Sequence, residues 1–218
     1  MGLRTALQIA IDNPALPTLA ELLSAAARLD AVQRIEAGTP LLTTFGVSIV
    51  ERFSLYFPVQ RLYVDTKCLD FAHEQLSPYL DHGIRHLSVH ACIGNDQAAA
   101  ALTTAANYDA TCYVSTLGYP IELLTARVAE LHRMGFTAFV FHGEGILATD
   151  ALRHALLRYD MGRAVPGLVR ILAGGISTST LHKLPLHDLD GIIVGRYVTN
   201  SADPVETMSL LAERLRRD

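Results

Sequence analysis

Eight short apolar runs, each followed by a longer stretch with helical spacing, constrain the fold of this chain more than any other feature. The runs predict strands at Leu3–Ile11, Val32–Glu36, Arg61–Asp65, His86–His90, Ala110–Ser115, Ala138–His142, Val169–Ala173 and Gly191–Val194. Their starts recur at roughly 25 residues, as repeated βα units require. Such alternation favours a parallel sheet covered by helices.

The stretches between the strands carry apolar residues three and four positions apart, as in Leu19, Leu22, Leu23, Ala26 and Ala27. Gly83, Gly135 and Gly191 precede strands and are interpreted as left-handed helix caps. No linker interrupts the rhythm, so residues 1–218 are predicted to form one domain. An open doubly wound sheet shows the same alternation. Eight units and the lack of an early G-x-G-x-x-G turn favour a closed (β/α)8 TIM barrel instead.

Composition narrows the range of partners and compartments. The net charge of −4 provides no basic surface for a nucleic acid. No run approaches the roughly 20 apolar residues of a membrane span, so no membrane association is expected. Three cysteines without C-x-x-C spacing indicate neither a disulfide framework nor a zinc knuckle, and a reducing cytoplasm fits them best.

Polar residues follow several predicted strands at their carboxyl ends, which form the functional face of a parallel barrel. Asp12 follows the first strand, although an Asp before Asn-Pro is equally typical of a turn or a helix cap. Glu36 ends the second strand, where an acid needs a cation or hydrogen-bond donors to offset its desolvation. His142 ends the sixth strand beside Gly143 and Gly145, where its imidazole could reach a substrate. The other histidines, His90 included, are interpreted as surface or packing residues.

The segment Asp65-x-Lys67-x-x-Asp70 is the most specific motif in the chain. Residues two apart in an extended stretch share a face, so the charges of Asp65 and Lys67 can meet. A structural ion pair explains these two residues but leaves Asp70 unexplained. Proton-transfer chemistry, by contrast, needs a charged lysine held among carboxylates. Because neighbouring strands lie about 4.8 Å apart, Glu36 and Asp65 could also share a Mg²⁺ ion.

Two glycine-containing segments close the last two strands and predict a phosphate site. Gly174 and Gly175 follow the seventh strand, and Gly195 and Arg196 follow the eighth. Barrels frequently bind phosphate at this position through backbone N–H groups. A pair of tight turns is the alternative interpretation.

Taken together, these motifs resemble the orotidine 5′-phosphate decarboxylase superfamily, in particular its branch of 3-hexulose-6-phosphate synthase and 3-keto-L-gulonate-6-phosphate decarboxylase. The resemblance covers nearly the whole chain. It rests on the segments Leu7–Asp12, Ile35–Leu41, Asp65–Asp70, Ala173–Ile176 and Ile193–Arg196.

The resemblance implies Mg²⁺ bound by Glu36 and Asp65, and a 1,2-enediolate of a ketose phosphate that Lys67 stabilises. It further implies that Asp12 orients Lys67 and the substrate hydroxyls and that His142 carries a proton. The phosphate would be held by Gly174, Gly175, Gly195 and Arg196. Asp70 would reach the partner's site in a homodimer with composite active sites.

The sequence indicates less clearly whether the chain resembles the synthase or the decarboxylase. Decarboxylases of this group tend to have Arg where this chain has Gly145 and Thr where it has Ala173, and both differences favour the synthase. An acid common near the end of the fifth strand in both groups is replaced by Ser115. The leading hypothesis is therefore a magnesium-dependent carbon–carbon lyase of the synthase type. The alternatives are a sugar-phosphate decarboxylase and a non-catalytic barrel that binds a sugar phosphate; true orotidine decarboxylation is disfavoured.

Overall fold

Eight parallel strands close into a barrel in the order β1 to β8 in a computed structural model, which describes residues 5–13, 18–144 and 148–217. The strands are β1 Ala6–Ile11, β2 Val32–Ala37, β3 Leu62–Cys68, β4 His86–His90, β5 Thr111–Ser115, β6 Ala138–His142, β7 Val169–Ala173 and β8 Gly191–Val194. The helices are α1 Leu19–Arg28, α2 Thr39–Phe45, α3 Ser48–Ser54, α4 Ala72–Asp81, α5 Asn95–Ala106, α6 Ile121–Met134, α7 Ala148–Gly162, α8 Arg196–Thr199 and α9 Pro204–Arg217. No helix in these ranges combines the length and apolar character of a membrane-spanning segment.

Pairing of the first strand with the last closes the barrel. Ala6 of β1 lies opposite Gly191 of β8, and the two strands run parallel. The predicted (β/α)8 barrel is thereby confirmed over the open sheet. Side chains along β1 point alternately to two hydrophobic cores. Leu7, Ile9 and Ile11 pack in the core between the barrel and the helices, whereas Ala10 lies in the core inside the barrel. Polar side chains that share the inward face are therefore confined to the barrel axis.

The observed bounds of β4, β6, β7 and β8 are the same as those predicted from the sequence. The third strand is longer than predicted and includes both Asp65 and Lys67. The first begins at Ala6, and residues 3–4 of the prediction lie outside the described residues. Gly83 and Gly135 adopt positive φ angles of 89° and 122°, as expected for left-handed caps.

Two structural expectations were wrong. The described residues after β7 contain short 3-10 helices, Leu181–Lys183 and Leu186–Asp188, instead of an α-helix. The Thr180 hydroxyl accepts the backbone N–H of Ser177 at 2.8 Å, a local bond that competes with helix formation. Gly191 is the first residue of β8 and not a helix cap; a Cβ there would lie 3.4 Å from the Ala6 carbonyl oxygen.

A polar cluster fills the end of the barrel opposite to the predicted site. His86 begins β4, and its Nδ1 lies 3.2 Å from the Tyr113 hydroxyl. The Arg34 guanidinium stacks over the Tyr113 ring, 5.6 Å from the centroid. Burial, assisted by the Arg34 charge, lowers the pKa of His86 to about 4. The imidazole is therefore neutral near pH 7.

We expect this neutral histidine to make stability depend on pH. Its folded pKa lies below the unfolded value of 6.5, so the unfolded chain binds the extra proton and stability is lost as pH falls from about 6.5 towards 4. The loss is at most about 1.4 kcal/mol per pH unit. Melting temperatures of His86→Gln should change less between pH 7 and 5 than those of the wild type. His182→Gln, on an exposed turn, is the control and should keep the wild-type slope. An unchanged slope in His86→Gln would refute this origin of the pH dependence.

Candidate active site

Lys67 lies at the centre of the polar groups at the carboxyl ends of β1–β3. Its ammonium contacts Oδ2 of Asp65 and donates a hydrogen bond to Oγ1 of Thr39 at 3.0 Å. Asp65 is 4% exposed, so this ion pair is largely removed from water. The expectation that Asp65 and Lys67 point the same way is confirmed.

Two hydroxyl groups donate hydrogen bonds to Asp65, and neither was predicted from the sequence. Ser88 of β4 donates to Oδ1 at 2.8 Å, and Thr39 donates to the backbone oxygen of Asp65 at 2.8 Å. The Ser88 hydroxyl also accepts the backbone N–H of Lys67, whose φ of 44° is unusual for a residue other than glycine. Ser88 alternates with Leu87 and Val89 in β4, so the two-residue period of the strand was a signal that places it on the same face as His86 and His90.

Glu36 lies beside this pair at the end of β2 and is also 4% exposed. Gln8 of β1 donates from Nε2 to Oε2 of Glu36 at 2.6 Å. Burial, together with the negative charge of Asp65, raises the pKa of Glu36 to about 8, against the opposing effects of Lys67 and Gln8. The barrel interior therefore holds more carboxylate than Lys67 alone neutralises.

Asp12 completes the group from the end of β1. Its carboxylate lies so close to Gly38 that a Cβ there would stand 1.9 Å from Oδ1, so any larger residue at position 38 would displace the Asp12 side chain. Partial burial and the charge of Asp65 raise the pKa of Asp12, and the charges of Lys67 and Arg196 oppose the rise. The helix-cap interpretation is wrong, because the residue that precedes α1 is Thr18.

Asp70 does not join this cluster within the described chain. It is exposed in the turn after β3, and its Oδ1 accepts a hydrogen bond from Gln75 at 3.0 Å. Phe71 adopts a left-handed φ of 44°, so the chain turns away from the strand direction here. Leu69 and Phe71 on either side of Asp70 are 49% and 65% exposed.

His142 reaches the cluster from the end of β6. Its Nδ1 lies 3.1 Å from the hydroxyl of Ser115, which is fully buried at the end of β5. Burial lowers the pKa of His142 to about 4; the charges of Lys67 and Arg158 act in the same direction and that of Asp65 opposes it. The imidazole is therefore neutral near pH 7, and Ser115 fixes its ring.

The loop between β5 and α6 is held by side chains from three other elements. His90 of β4 binds the carbonyl oxygen of Leu117, and Glu144 accepts the backbone N–H of Gly118 at 2.7 Å. Arg158 of α7 binds Glu144 at 2.6 Å and also the carbonyl oxygen of Tyr119. Nδ1 of His90 accepts the Cys92 N–H at 3.1 Å, so this ring bonds backbone atoms with both nitrogens, as a packing residue does. Gly145, singled out from the sequence, lies outside the described residues.

The predicted phosphate loops lie next to each other after β7 and β8. Gly174 and Gly175 have positive φ angles of 108° and 68°, and a Cβ on Gly174 would lie 3.0 Å from the Gly143 carbonyl oxygen. A hydrogen bond of 2.7 Å between the hydroxyls of Thr178 and Tyr197 links the two loops. Gly195 precedes α8, which begins with the exposed Arg196.

The oxygen atoms of this cluster are suitable ligands for a hard divalent cation. Glu36 and Asp65 offer carboxylate oxygens, and the buried Oε1 of Gln8 has no hydrogen-bond partner among the described residues. No group of three or more His, Cys, Asp or Glu side chains in the described part of the chain is arranged to hold a metal. Two carboxylates, with waters and substrate oxygens as the remaining ligands, is the arrangement that Mg²⁺ commonly takes.

Fold and site together define a (β/α)8 barrel enzyme with a lysine–carboxylate centre at the carboxyl ends of its strands. A sequence model of the orotidine 5′-phosphate decarboxylase / HUMPS family matches residues 5–210. The chain belongs to this family.

Named relatives fall in the same group. The 3-hexulose-6-phosphate synthase of Staphylococcus haemolyticus is 25% identical over 206 residues, which cover 92% of this chain and 93% of the relative. A solved 3-hexulose-6-phosphate synthase from Salmonella typhimurium superposes with a TM-score of 0.83 at 24% identity, covering 98% of this chain and 99% of that one. KGPDC from Streptococcus mutans superposes with a TM-score of 0.79 at 20% identity, covering 98% of each chain. The prediction of a carbon–carbon lyase is confirmed at this level.

The raised pKa of Glu36 should make the metal-free protein less stable as pH rises. The folded state keeps a proton that the unfolded chain releases near pH 4.5, so stability falls between about 4.5 and 8, by at most about 1.4 kcal/mol per pH unit. Glu36→Gln should remove this loss, so that its melting temperature in a chelator falls less from pH 6 to 8 than that of the wild type. Glu74→Gln, an exposed change on α4, should behave as wild type. Parallel curves for Glu36→Gln and wild type would contradict a buried, protonated Glu36.

Proposed function

We propose that this protein is a magnesium-dependent lyase that acts on a ketose phosphate through a 1,2-enediolate. The favoured reaction is the aldol addition of formaldehyde to D-ribulose 5-phosphate. The observation that carries the proposal is the Lys67 ammonium bound to the buried Asp65 beside Glu36 and Asp12. Such a cluster suits a reaction in which negative charge develops on substrate oxygens.

In this proposal, Glu36 and Asp65 hold the Mg²⁺ ion. When bound, the cation would offset the charge that develops on neighbouring substrate oxygens. Lys67 needs no proton transfer to contribute, since its ammonium is already oriented by Asp65 and Thr39 and can donate to an oxygen of the substrate. Asp12, at the rim beside Lys67 and Arg196, would accept hydrogen bonds from substrate hydroxyls.

Proton transfer falls to His142. In the aldol reaction, a proton leaves C1 of ribulose 5-phosphate, C1 forms a bond to the formaldehyde carbon, and the resulting alkoxide takes up a proton. The neutral imidazole can accept the first proton and return one to the product, while Ser115 holds its Nδ1. Gly174, Gly175, Gly195 and Arg196 would bind the phosphate at the joined loops.

Two observations favour the synthase over the decarboxylase. The curated relatives that match across most of both chains are named 3-hexulose-6-phosphate synthase. Ala173, where decarboxylases tend to have Thr, is buried at the end of β7 and offers no hydroxyl to the site. The similarity to KGPDC over 98% of the chain keeps decarboxylation of a 3-keto sugar-acid phosphate as the second candidate.

We also propose a homodimer in which Asp70 acts in the partner's site. Asp70 is exposed, and the flanking Leu69 and Phe71 present apolar surface that a second copy would cover. A short turn with two exposed apolar side chains around one carboxylate is suited to insertion into a neighbouring subunit.

Activity assays separate the candidates. Formaldehyde consumption with D-ribulose 5-phosphate is measured beside carbon dioxide release from 3-keto-L-gulonate 6-phosphate, each with Mg²⁺ and with a chelator. We expect Mg²⁺-dependent turnover in the first assay. Turnover in the second alone would transfer the assignment to the decarboxylase, and full activity in the chelator would overturn the magnesium dependence.

Lys67→Ala should lower kcat by about 10²–10³-fold, because an oriented donor to the transition state is lost. The KM for the phosphorylated substrate should change little, since the phosphate loops remain. The chain has only one other lysine, Lys183 on an exposed turn, and Lys183→Ala is the matched control. Equal losses in binding and turnover for Lys67→Ala would contradict its assigned role.

Mixing two inactive variants tests the composite site. Lys67→Ala and Asp70→Ala, co-expressed in equal amounts, should recover about one quarter of wild-type activity, because half of the dimers are mixed and each mixed dimer has one intact site of two. If Asp70 acts in its own subunit, no mixed dimer contains an intact site. Activity that stays at the level of the separate variants would therefore exclude the composite site.

A further inference from the structure

Gln8 is one of the few buried polar side chains of the barrel interior. It is 3% exposed and lies on β1, two residues before Ala10, which pairs in register with Glu36. Residues two apart on a strand share a face, so Gln8 points inward on the amino-terminal side of Ala10. Its Nε2 donates to Oε2 of Glu36 at 2.6 Å, a short bond to a buried carboxyl group.

The other end of the same amide is unsatisfied. Oε1 of Gln8 is buried and accepts no hydrogen bond within the described ranges. Leaving a buried acceptor without a partner costs about 1–3 kcal/mol. Rotating the amide does not remove the cost, because Nε2 would then be buried without an acceptor. Among the described residues, nothing satisfies both ends of the amide at once, and a bound water would satisfy Oε1.

We propose that Gln8 is a positioning residue of the cation site: its Nε2–H fixes one oxygen of Glu36 so that the other oxygen can bind the cation, and its Oε1 accepts a hydrogen bond from a water bound to the cation. This inference rests on the cation of the proposed function. Mg²⁺ keeps several waters when only two carboxylates bind it, and each such water is a strong donor. An amide is the side-chain group that supplies a donor and an acceptor at this point without adding charge.

Methionine at position 8 separates this role from a structural one. It has nearly the length of glutamine but neither polar atom, so it removes the bond to Glu36 and also the unsatisfied Oε1. Without metal, two effects on stability oppose each other in Gln8→Met: an unpaired buried acceptor is removed, and the donor to Oε2 of Glu36 is lost. The melting temperature of the metal-free variant should therefore stay near that of the wild type. With metal, it should bind the cation more weakly, by the factor of about 10–100 found for residues that orient metal ligands.

The experiment titrates the metal-free protein with Mn²⁺, which takes the same oxygen ligands as Mg²⁺ and is followed by the electron paramagnetic resonance signal of the free ion. Glu36→Gln removes a ligand and should abolish binding. Thr104→Val changes a buried hydroxyl on α5, away from the site, and should bind as wild type. Gln8→Asn, which withdraws both polar atoms by one methylene, is the second test variant if Gln8→Met does not fold, and its Mn²⁺ affinity should fall in the same way.

The outcomes are distinct. Weaker Mn²⁺ binding with unimpaired metal-free stability supports the inference. Wild-type affinity in Gln8→Met, or a loss of affinity that merely follows destabilisation of the metal-free fold, overturns it. If the wild-type protein itself binds no Mn²⁺, the cation of the proposed function is wrong and the role of Gln8 is excluded with it.

Discussion

The contact between the Lys67 ammonium and the buried Asp65 carboxylate is the interaction on which the site depends. Without Lys67, Asp65 and Glu36 would be adjacent carboxyl groups in a space with little water, and burial together with their mutual repulsion already raises the pKa of Glu36 to about 8. Thr39 and Ser88 both direct their hydroxyls to this pair. Glu36, Asp65 and Ser88 come from β2, β3 and β4, so these three strands must lie side by side for the arrangement to form.

The sequence predicted the frame and the charged centre of the site because both follow simple periodicities. Short segments rich in apolar residues predicted the bounds of β4, β6, β7 and β8 to the residue, and the two-residue repeat of an extended chain placed Asp65 and Lys67 on one face. The position of Asp70 could not be predicted in this way, because β3 ends at Cys68 and the two-residue repeat no longer applies beyond it.

Single polar residues within strands were not predictable in the same way. Gln8 is the only polar residue of β1, and one polar residue sets no period. Ser88 follows the two-residue alternation of β4, and Ser115 ends β5, but neither pattern identifies the side chain that the serine binds. Their roles depend on neighbours from other strands: Gln8 binds Glu36 from 28 positions away, and Ser115 meets His142 from 27 positions away. The absence of an α-helix among the described residues directly after β7 depends likewise on hydroxyl–backbone bonds that hydrophobic periodicity does not register.

Ser115 also gives His142 a distinctive setting. An acid at this position would favour the charged imidazolium, whereas a serine hydroxyl orients the ring without stabilising a positive charge. With burial, Lys67 and Arg158 all disfavouring protonation, the imidazole stays neutral near pH 7. A neutral imidazole can accept a proton from a carbon acid, the first step required of an enediolate-forming enzyme.

The direct test of enediolate formation at this site is exchange of the C1 proton of D-ribulose 5-phosphate with solvent deuterium, followed by proton NMR without formaldehyde. It detects enediolate formation whichever reaction follows. We expect loss of one C1 proton signal with the wild-type protein and Mg²⁺, and no loss with Lys67→Ala. A wild-type protein that binds the ketose phosphate yet leaves both C1 proton signals unchanged would contradict it.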